Sequence, residues 1–358
     1  MDELGARIRN AWEGRISGCM LGKAVERFST RQGQPALAAY LAGNDALPLR
    51  DYIPYTPDLP TPLDKRCCRG NLTRSEADDD INYSFLALLM LETHGTNLTT
   101  EKVARTWLQK LPVAMTFTAE RAAYRTLLNK AHEWFPEGHA PDFDLGECSD
   151  NDYNDWIGAQ IRADVYGWVC PGDPELAAKL ARADAELSHR DDGVYGAVFV
   201  AVLGALIPKS RSLDEAIDAA LEHIPPDSGC AEAVVFARNA VTEGRGDASI
   251  RARYAGYPVV HTVNNLALVV WALINNPDDF GAAIGDVVAA GLDTDCNGAT
   301  VGALWALQGK PVPRHWTEPW RGIVSVSLGG YSEISLDELV ERTVAVVRQD
   351  TSISRSLK

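Results

Sequence analysis

The sequence predicts an all-α fold with little or no sheet. Three observations carry this. Apolar residues recur at helical spacing along most of the 358 residues, the pattern of helices that bury one face. Alternating apolar and polar runs are nearly absent; Gly322–Ser327 is the best strand candidate, and it is short. Hydrophobic residues make up 46% of the chain, enough to bury a large core.

The elements follow in order. Asp79 to Glu92 places Ile81, Phe85, Leu88, Leu89 and Leu91 at helical spacing and ends near Gly95. Thr99-Thr100-Glu101 opens a segment that runs to Leu111. Asp173-Pro174-Glu175 joins a capping side chain to a proline at the first helical position, and Leu176, Ala177, Leu180 and Ala183 continue that helix. Further helical stretches cover Gly193–Ile207, Leu213–His223, Gly229–Thr242, Thr262–Asn275, Phe280–Ala290, Ala299–Leu307 and Leu336–Arg348.

Regularity breaks between Asn44 and Arg74. This segment holds Pro48, Pro54, Pro57, Pro60 and Pro62, then Lys65, Arg66, Arg69 and Arg74. Proline at that density forbids regular helix. The segment feeds straight into Asp78, so it is expected to border a functional cleft. A second irregular stretch, 136–155, is rich in Asp, Asn and Gly. The length alone would suggest about two domains. No boundary separates the segments that carry chemistry, so residues 1–358 are read as one domain with 44–74 inserted near its site.

Composition narrows the function. A net charge of -15 and a pI near 4.9 argue against nucleic acid, which is bound through excess Lys and Arg. No stretch reaches the length of a membrane span. The seven cysteines are scattered, with no Cys-x-x-Cys pair; neither a disulfide framework nor a zinc knuckle is indicated, and a reducing cytoplasm is expected.

Two aspartate clusters carry the chemistry. Asp78-Asp79-Asp80 and Asp293-Thr294-Asp295 lie more than 200 residues apart, and an apolar helical run follows each. Crowded carboxylates repel unless something positive sits among them, and a hard divalent cation is the simplest such partner. A single Asp would suffice to cap a helix. The second cluster begins like an EF-hand loop, but its twelfth position is Leu304 where a bidentate Glu is needed. A class I terpenoid synthase also uses Asp-rich helices; here its second motif fails, because Asn154-Asp155 leads to Arg162 where an acid is required.

With these residues in view, the chain resembles the ADP-ribosylglycohydrolase family, which includes the J1 crystallins. Gly18-Cys19-Met20-Leu21-Gly22 is similar to its opening small-residue helix, and Asp78-Asp79-Asp80 to its Thr-Asp-Asp metal motif. The stretch from Asn154 through Asp155, Gly158 and Gln160 to Arg162 is similar to its ligand loop, and Ser188-His189 to a helix-end pair. Asp293-Thr294-Asp295-Cys296 is similar to the second metal motif. The resemblance covers roughly residues 10–310 and implies two magnesium ions, or manganese, on Asp78, Asp79, Asp80, Asp293, Asp295 and Cys296. It implies cleavage of the ribosyl C1 bond of an ADP-ribose conjugate or a related riboside. Asn154, Asp155, Gly158, Gln160, Arg162 and His189 would contact the substrate, and Glu26 and Asp80 would serve catalysis. A catalytically silent, crystallin-like protein is the reading from another class. Three departures stand out. Asp78 replaces Thr, Cys296 replaces Thr or Ser, and Lys23 replaces Asp in the opening motif, with Glu26 closer than the family's glutamate.

Overall fold

The computed structural model of the chain describes residues 2–131 and 141–349; the first five residues of the irregular stretch 136–155 therefore lie outside the described residues. Helix α1 (Glu3–Lys23) starts where the Asp2 side chain accepts the Gly5 N–H. Short helices α2 (Glu26–Gln32) and α3 (Gln34–Gly43) follow. From 44 to 74 the chain is irregular apart from one 3₁₀ turn at Lys65–Cys67, as the prolines require. Helix α4 (Asp79–His94) is capped by Asp78 and stops at Gly95, whose φ is 55°. Then come α5 (Thr100–Lys110), capped by Thr99, and α6 (Thr118–Lys130).

Beyond a 3₁₀ turn at Ile157–Arg162 lie α7 (Asp164–Trp168) and α8 (Pro174–Ala185), the latter capped by Asp173 ahead of its proline. Helices α9 (Asp191–Leu206), α10 (Leu213–Leu221), α11 (Gly229–Thr242), α12 (Asp247–Arg253), α13 (Thr262–Asn275), α14 (Phe280–Ala289), α15 (Thr294–Ala306) and α16 (Arg314–Thr317) complete the helical body. An antiparallel hairpin of β1 (Ile323–Leu328) and β2 (Tyr331–Ser335), with Val324 opposite Ile334, leads into α17 (Leu336–Gln349). The fold is all-α, with this hairpin as the only sheet among the described residues. Strand β1 is the one foreseen. Its partner β2 was not, because Ser332 and Glu333 face solvent and break the apolar alternation.

One helix pair positions the site. Every residue of α15 is buried, so it is surrounded on all sides and cannot be amphipathic. Its closest neighbour is α1. A Cβ added at Gly14 would run into the Gly302 carbonyl, one at Gly18 into the Gly298 carbonyl, and one at Gly22 into the Thr294 carbonyl. The pairs descend along α15 as they climb along α1, so the helices are antiparallel and in backbone contact. The end of α1, with Cys19 and Lys23, is thereby fixed against the first turn of α15, with Asp295 and Cys296. Helix α15 begins at Thr294, not at Ala299 as periodicity suggested. The aspartates form its first turn rather than a preceding loop.

A candidate metal centre where three helices meet

The first cluster is built at the start of α4. Asp78 caps this helix: its Oδ1 accepts the Asp80 N–H at 3.0 Å. Its Oδ2 accepts from the Lys23 ammonium at 2.6 Å. Burial raises the Asp78 carboxyl, but Lys23 and the capping N–H outweigh it and hold it below the usual range. Burial likewise opposes the charge on Lys23, and Asp78 and Asp295 overcome that and keep the ammonium protonated.

Asp80 is fully buried and is held by Arg15, another fully buried side chain. The Arg15 Nη2 lies 3.1 Å from Asp80 Oδ1 and 2.9 Å from its carbonyl oxygen, and Nη1 lies 2.8 Å from Asp164 Oδ2. Arg15 also donates to the Ile161 carbonyl. It thus ties α1, the start of α4, α7 and the 157–162 turn together.

The second cluster enters through a fixed turn. Gly291 and Leu292 both take positive φ, 82° and 60°; for leucine this left-handed conformation costs about 1–2 kcal/mol. The Ser29 hydroxyl holds the Leu292 carbonyl at 2.9 Å. Asn265 Oδ1 accepts the Asp293 N–H at 3.3 Å and the Asn297 amide at 2.8 Å. The Asp293 side chain caps no backbone group.

These elements bring the two clusters together. Donor atoms of Glu26, Asp293 and Asp295 lie within 4.8 Å of one another, as do those of Asp80, Asp295 and Cys296, and those of Cys19, Asp78 and Asp80. Shared members make the groups contiguous. Asp80 Oδ2 and Asp295 Oδ1 are buried with no hydrogen-bond partner, a costly condition for carboxylate oxygens. Burial, then the neighbouring acids, push Asp79 and Asp295 well above the carboxylate range; for Asp80 burial dominates and Arg15 opposes it. Burial, Asp293 and Asp78 push Glu26 up to about 7. Burial raises the Cys19 and Cys296 thiols, so both stay protonated. The donor set fits a hard divalent cation: carboxylates dominate it, and two of their oxygens are unpartnered.

The ligand-loop residues take other positions. Arg162 has all its donors occupied. Nε meets Asp184 at 3.0 Å, Nη1 meets Glu120 at 2.7 Å and the Gly158 carbonyl at 3.0 Å, and Nη2 meets the Asp184 carbonyl and Ser188 Oγ. None remains for a substrate anion, contrary to expectation. Gly158 is small because a Cβ would collide with the Glu120 carboxylate. His189 is buried, its Nδ1 is 2.8 Å from Ser188 Oγ, and burial and Arg162 push its pKa down, so the ring is neutral. Asn154 donates to the Ser149 carbonyl at 3.1 Å. Asp155 pairs with His261 at 3.1 Å and stays half-exposed. Gln160 is buried, with neither amide atom partnered.

The basic residues of 44–74 are also occupied. Arg66 pairs with Asp64 and Glu76, Arg69 with Asp51, and Arg74 with Glu333, while Lys65 lies over the Tyr55 ring. The segment does reach the centre's edge, since the Asp64 N–H donates to the Ala24 carbonyl at 3.1 Å, beside Lys23. Arg15, Asn265 and the donor Cys19 are site residues that the sequence does not single out, and Arg15 is the most consequential of them. Its signal was an arginine between the apolar residues Ala11, Trp12, Ile16 and Cys19, on the part of α1 that is buried.

An all-α body with carboxylates gathered where α1, α4 and α15 meet defines a helical protein with a candidate cation centre. The family model for ADP-ribosylglycohydrolases matches residues 1–352, and the chain belongs to that family of glycohydrolases. Among solved structures the chain is similar to an ADP-ribosylglycohydrolase-related protein complex, at 16% identity and a TM-score of 0.59, over 98% of this chain and all of that one. At that identity the likeness concerns the fold. A comparison with curated proteins finds no match. No described helix is long and apolar enough to cross a membrane.

Proposed function

We propose that the chain is a magnesium-dependent hydrolase, acting as a single domain, that cleaves the ribosyl C1 bond of an ADP-ribose conjugate on a protein or small molecule. The observation that carries this is the meeting of Glu26, Asp80, Asp293 and Asp295 with two buried carboxylate oxygens unpartnered. Asp79, Asp80, Asp293 and Asp295 would hold the cation, which supplies Lewis-acid polarisation and orientation of a ribose diol. Arg15 fixes the Asp80 carboxylate and Asn265 the Asp293 backbone before anything binds, which limits the reorganisation that accompanies substrate entry.

Breaking a bond at C1 develops positive charge on the sugar, and a nearby carboxylate stabilises it. Glu26 is half-buried at the rim of the cluster. It is suited to take a proton from the attacking water, because burial, the largest cause of its raised pKa, holds it up toward working pH. That burial persists when a cation offsets the neighbouring aspartates.

The test is a screen of ADP-ribosylated peptides and small N-ribosides with magnesium or chelator, the released ribose species being read by mass spectrometry. Magnesium-dependent release of ADP-ribose supports the proposal. Release only from N-ribosides would move the substrate to another riboside. No release, with magnesium bound and the fold intact, would leave a silent, crystallin-like role.

A further inference from the structure

Two departures in the sequence are one feature in the structure. Lys23 stands where the resemblance expects an acid, and Asp78 stands where it expects a neutral threonine. Each alone would unbalance a cation centre. The folded chain pairs them: Lys23 Nζ lies 2.6 Å from Asp78 Oδ2, with side chains only 17% and 2% exposed. A fixed positive charge therefore sits inside the carboxylate cluster, at the end of the helix that α15 locks in place.

We infer that the Lys23 ammonium is a built-in cation that takes one of the two divalent positions, so that the centre holds a single metal ion. This rests on the proposed cation-dependent reading. The ion-binding capacity is unevenly distributed. Asp78 gives one oxygen to the Asp80 N–H and the other to Lys23. A divalent ion on that second oxygen would meet the ammonium at close range, and like charges repel. Away from that pair, Asp80 Oδ2 and Asp295 Oδ1 have no partner, and Asp293 offers an oxygen within 4.8 Å of Asp295. Asp295 is common to the grouping with Asp80 and the grouping with Asp293, so an ion held through it uses the oxygens that Lys23 leaves open.

Metal content of the full chain decides the matter, with no need for a substrate. Magnesium chloride and manganese chloride are titrated by calorimetry, and bound metal is counted by elemental analysis after gel filtration. Circular dichroism checks the fold. We expect about one ion per chain in the wild type and in Lys23→Arg, and about two in Lys23→Met and Lys23→Gln, where Asp78 is released. Two ions in the wild type overturn the inference whatever the variants do, as does one ion in folded Lys23→Met or Lys23→Gln. No ion bound by any of the proteins would instead remove the cation-dependent reading itself.

Discussion

Arg15 and Asp295 mark the two ways in which a buried charge is handled in this chain. Arg15 is paired on every side, by Asp80, Asp164 and two carbonyls. Replacing it with methionine strands two buried carboxylates. Removing one partner of a buried ion pair typically costs about 3–5 kcal/mol, so denaturant unfolding of Arg15→Met should show a loss of that order; a loss under about 1 kcal/mol would sink this role. Asp295 is left partly unpaired. Asp295→Asn should weaken magnesium binding while the fold survives, because a self-repulsive group has been neutralised. Equal magnesium affinity in that variant, measured by calorimetry, would exclude Asp295 as a ligand. Glu26→Gln keeps the shape and removes the base. Metal and ligand binding should persist while kcat falls about 10²-fold or more. A kcat within a few-fold of wild type would take Glu26 out of the mechanism. The acidic clusters were visible in the sequence because like charges in a row have few structural uses. Arg15 was not, because one arginine in a helix does not say which distant acids it will meet.

At the scale of elements, several long helices with an end signal are legible in the sequence, but α1, the longest, and α6 are given no span by periodicity. Helices α11 and α13 match their predicted spans, and α8 and α5 begin at their foreseen caps. Short helices such as α2, α7 and α12 escape, because seven or fewer residues span at most about two turns, too few for the apolar spacing to repeat. The start of α15 was placed late for a different reason. Its first turn, Thr294 to Gly298, is polar yet buried, and periodicity assigns polar residues to the outside. The glycines explain how it fits: α1 and α15 touch backbone to backbone. Gly18→Ala should therefore force these helices apart. Overpacking a close contact costs about 1–3 kcal/mol, visible as a lower melting temperature. Magnesium affinity should fall with it, since the same contact aligns Lys23 and Asp295. Unchanged stability and affinity would mean that the helix pair gives way without moving the centre.

For the whole molecule, the net charge of -15 is concentrated most awkwardly in the centre, and this sets a pH dependence. Asp79, Asp80, Asp293 and Asp295 are raised, chiefly by burial, and Glu26 is raised to about 7. A carboxyl raised on folding binds more protons in the folded than in the unfolded chain. Its contribution is therefore fully present below the unfolded pKa, 3.8 for Asp and 4.5 for Glu, and is lost as pH rises through the folded value. Asp78, lowered by Lys23 against its burial, works the other way, but its window lies below 3.8. His189, held neutral by burial, adds stability as pH rises toward its ordinary 6.5. His189 lies outside the centre and is common to metal-free and metal-loaded protein, so the difference between the two states isolates the centre. Magnesium binds the deprotonated carboxylates and cancels their repulsion. The gap in melting temperature between magnesium-saturated and chelated protein should accordingly widen from about pH 5 to about pH 8, the window set by Glu26 and its raised neighbours. A gap that stayed constant, or narrowed, across that range would mean that the carboxylates do not titrate where their burial puts them, or that magnesium binds elsewhere on this acidic surface.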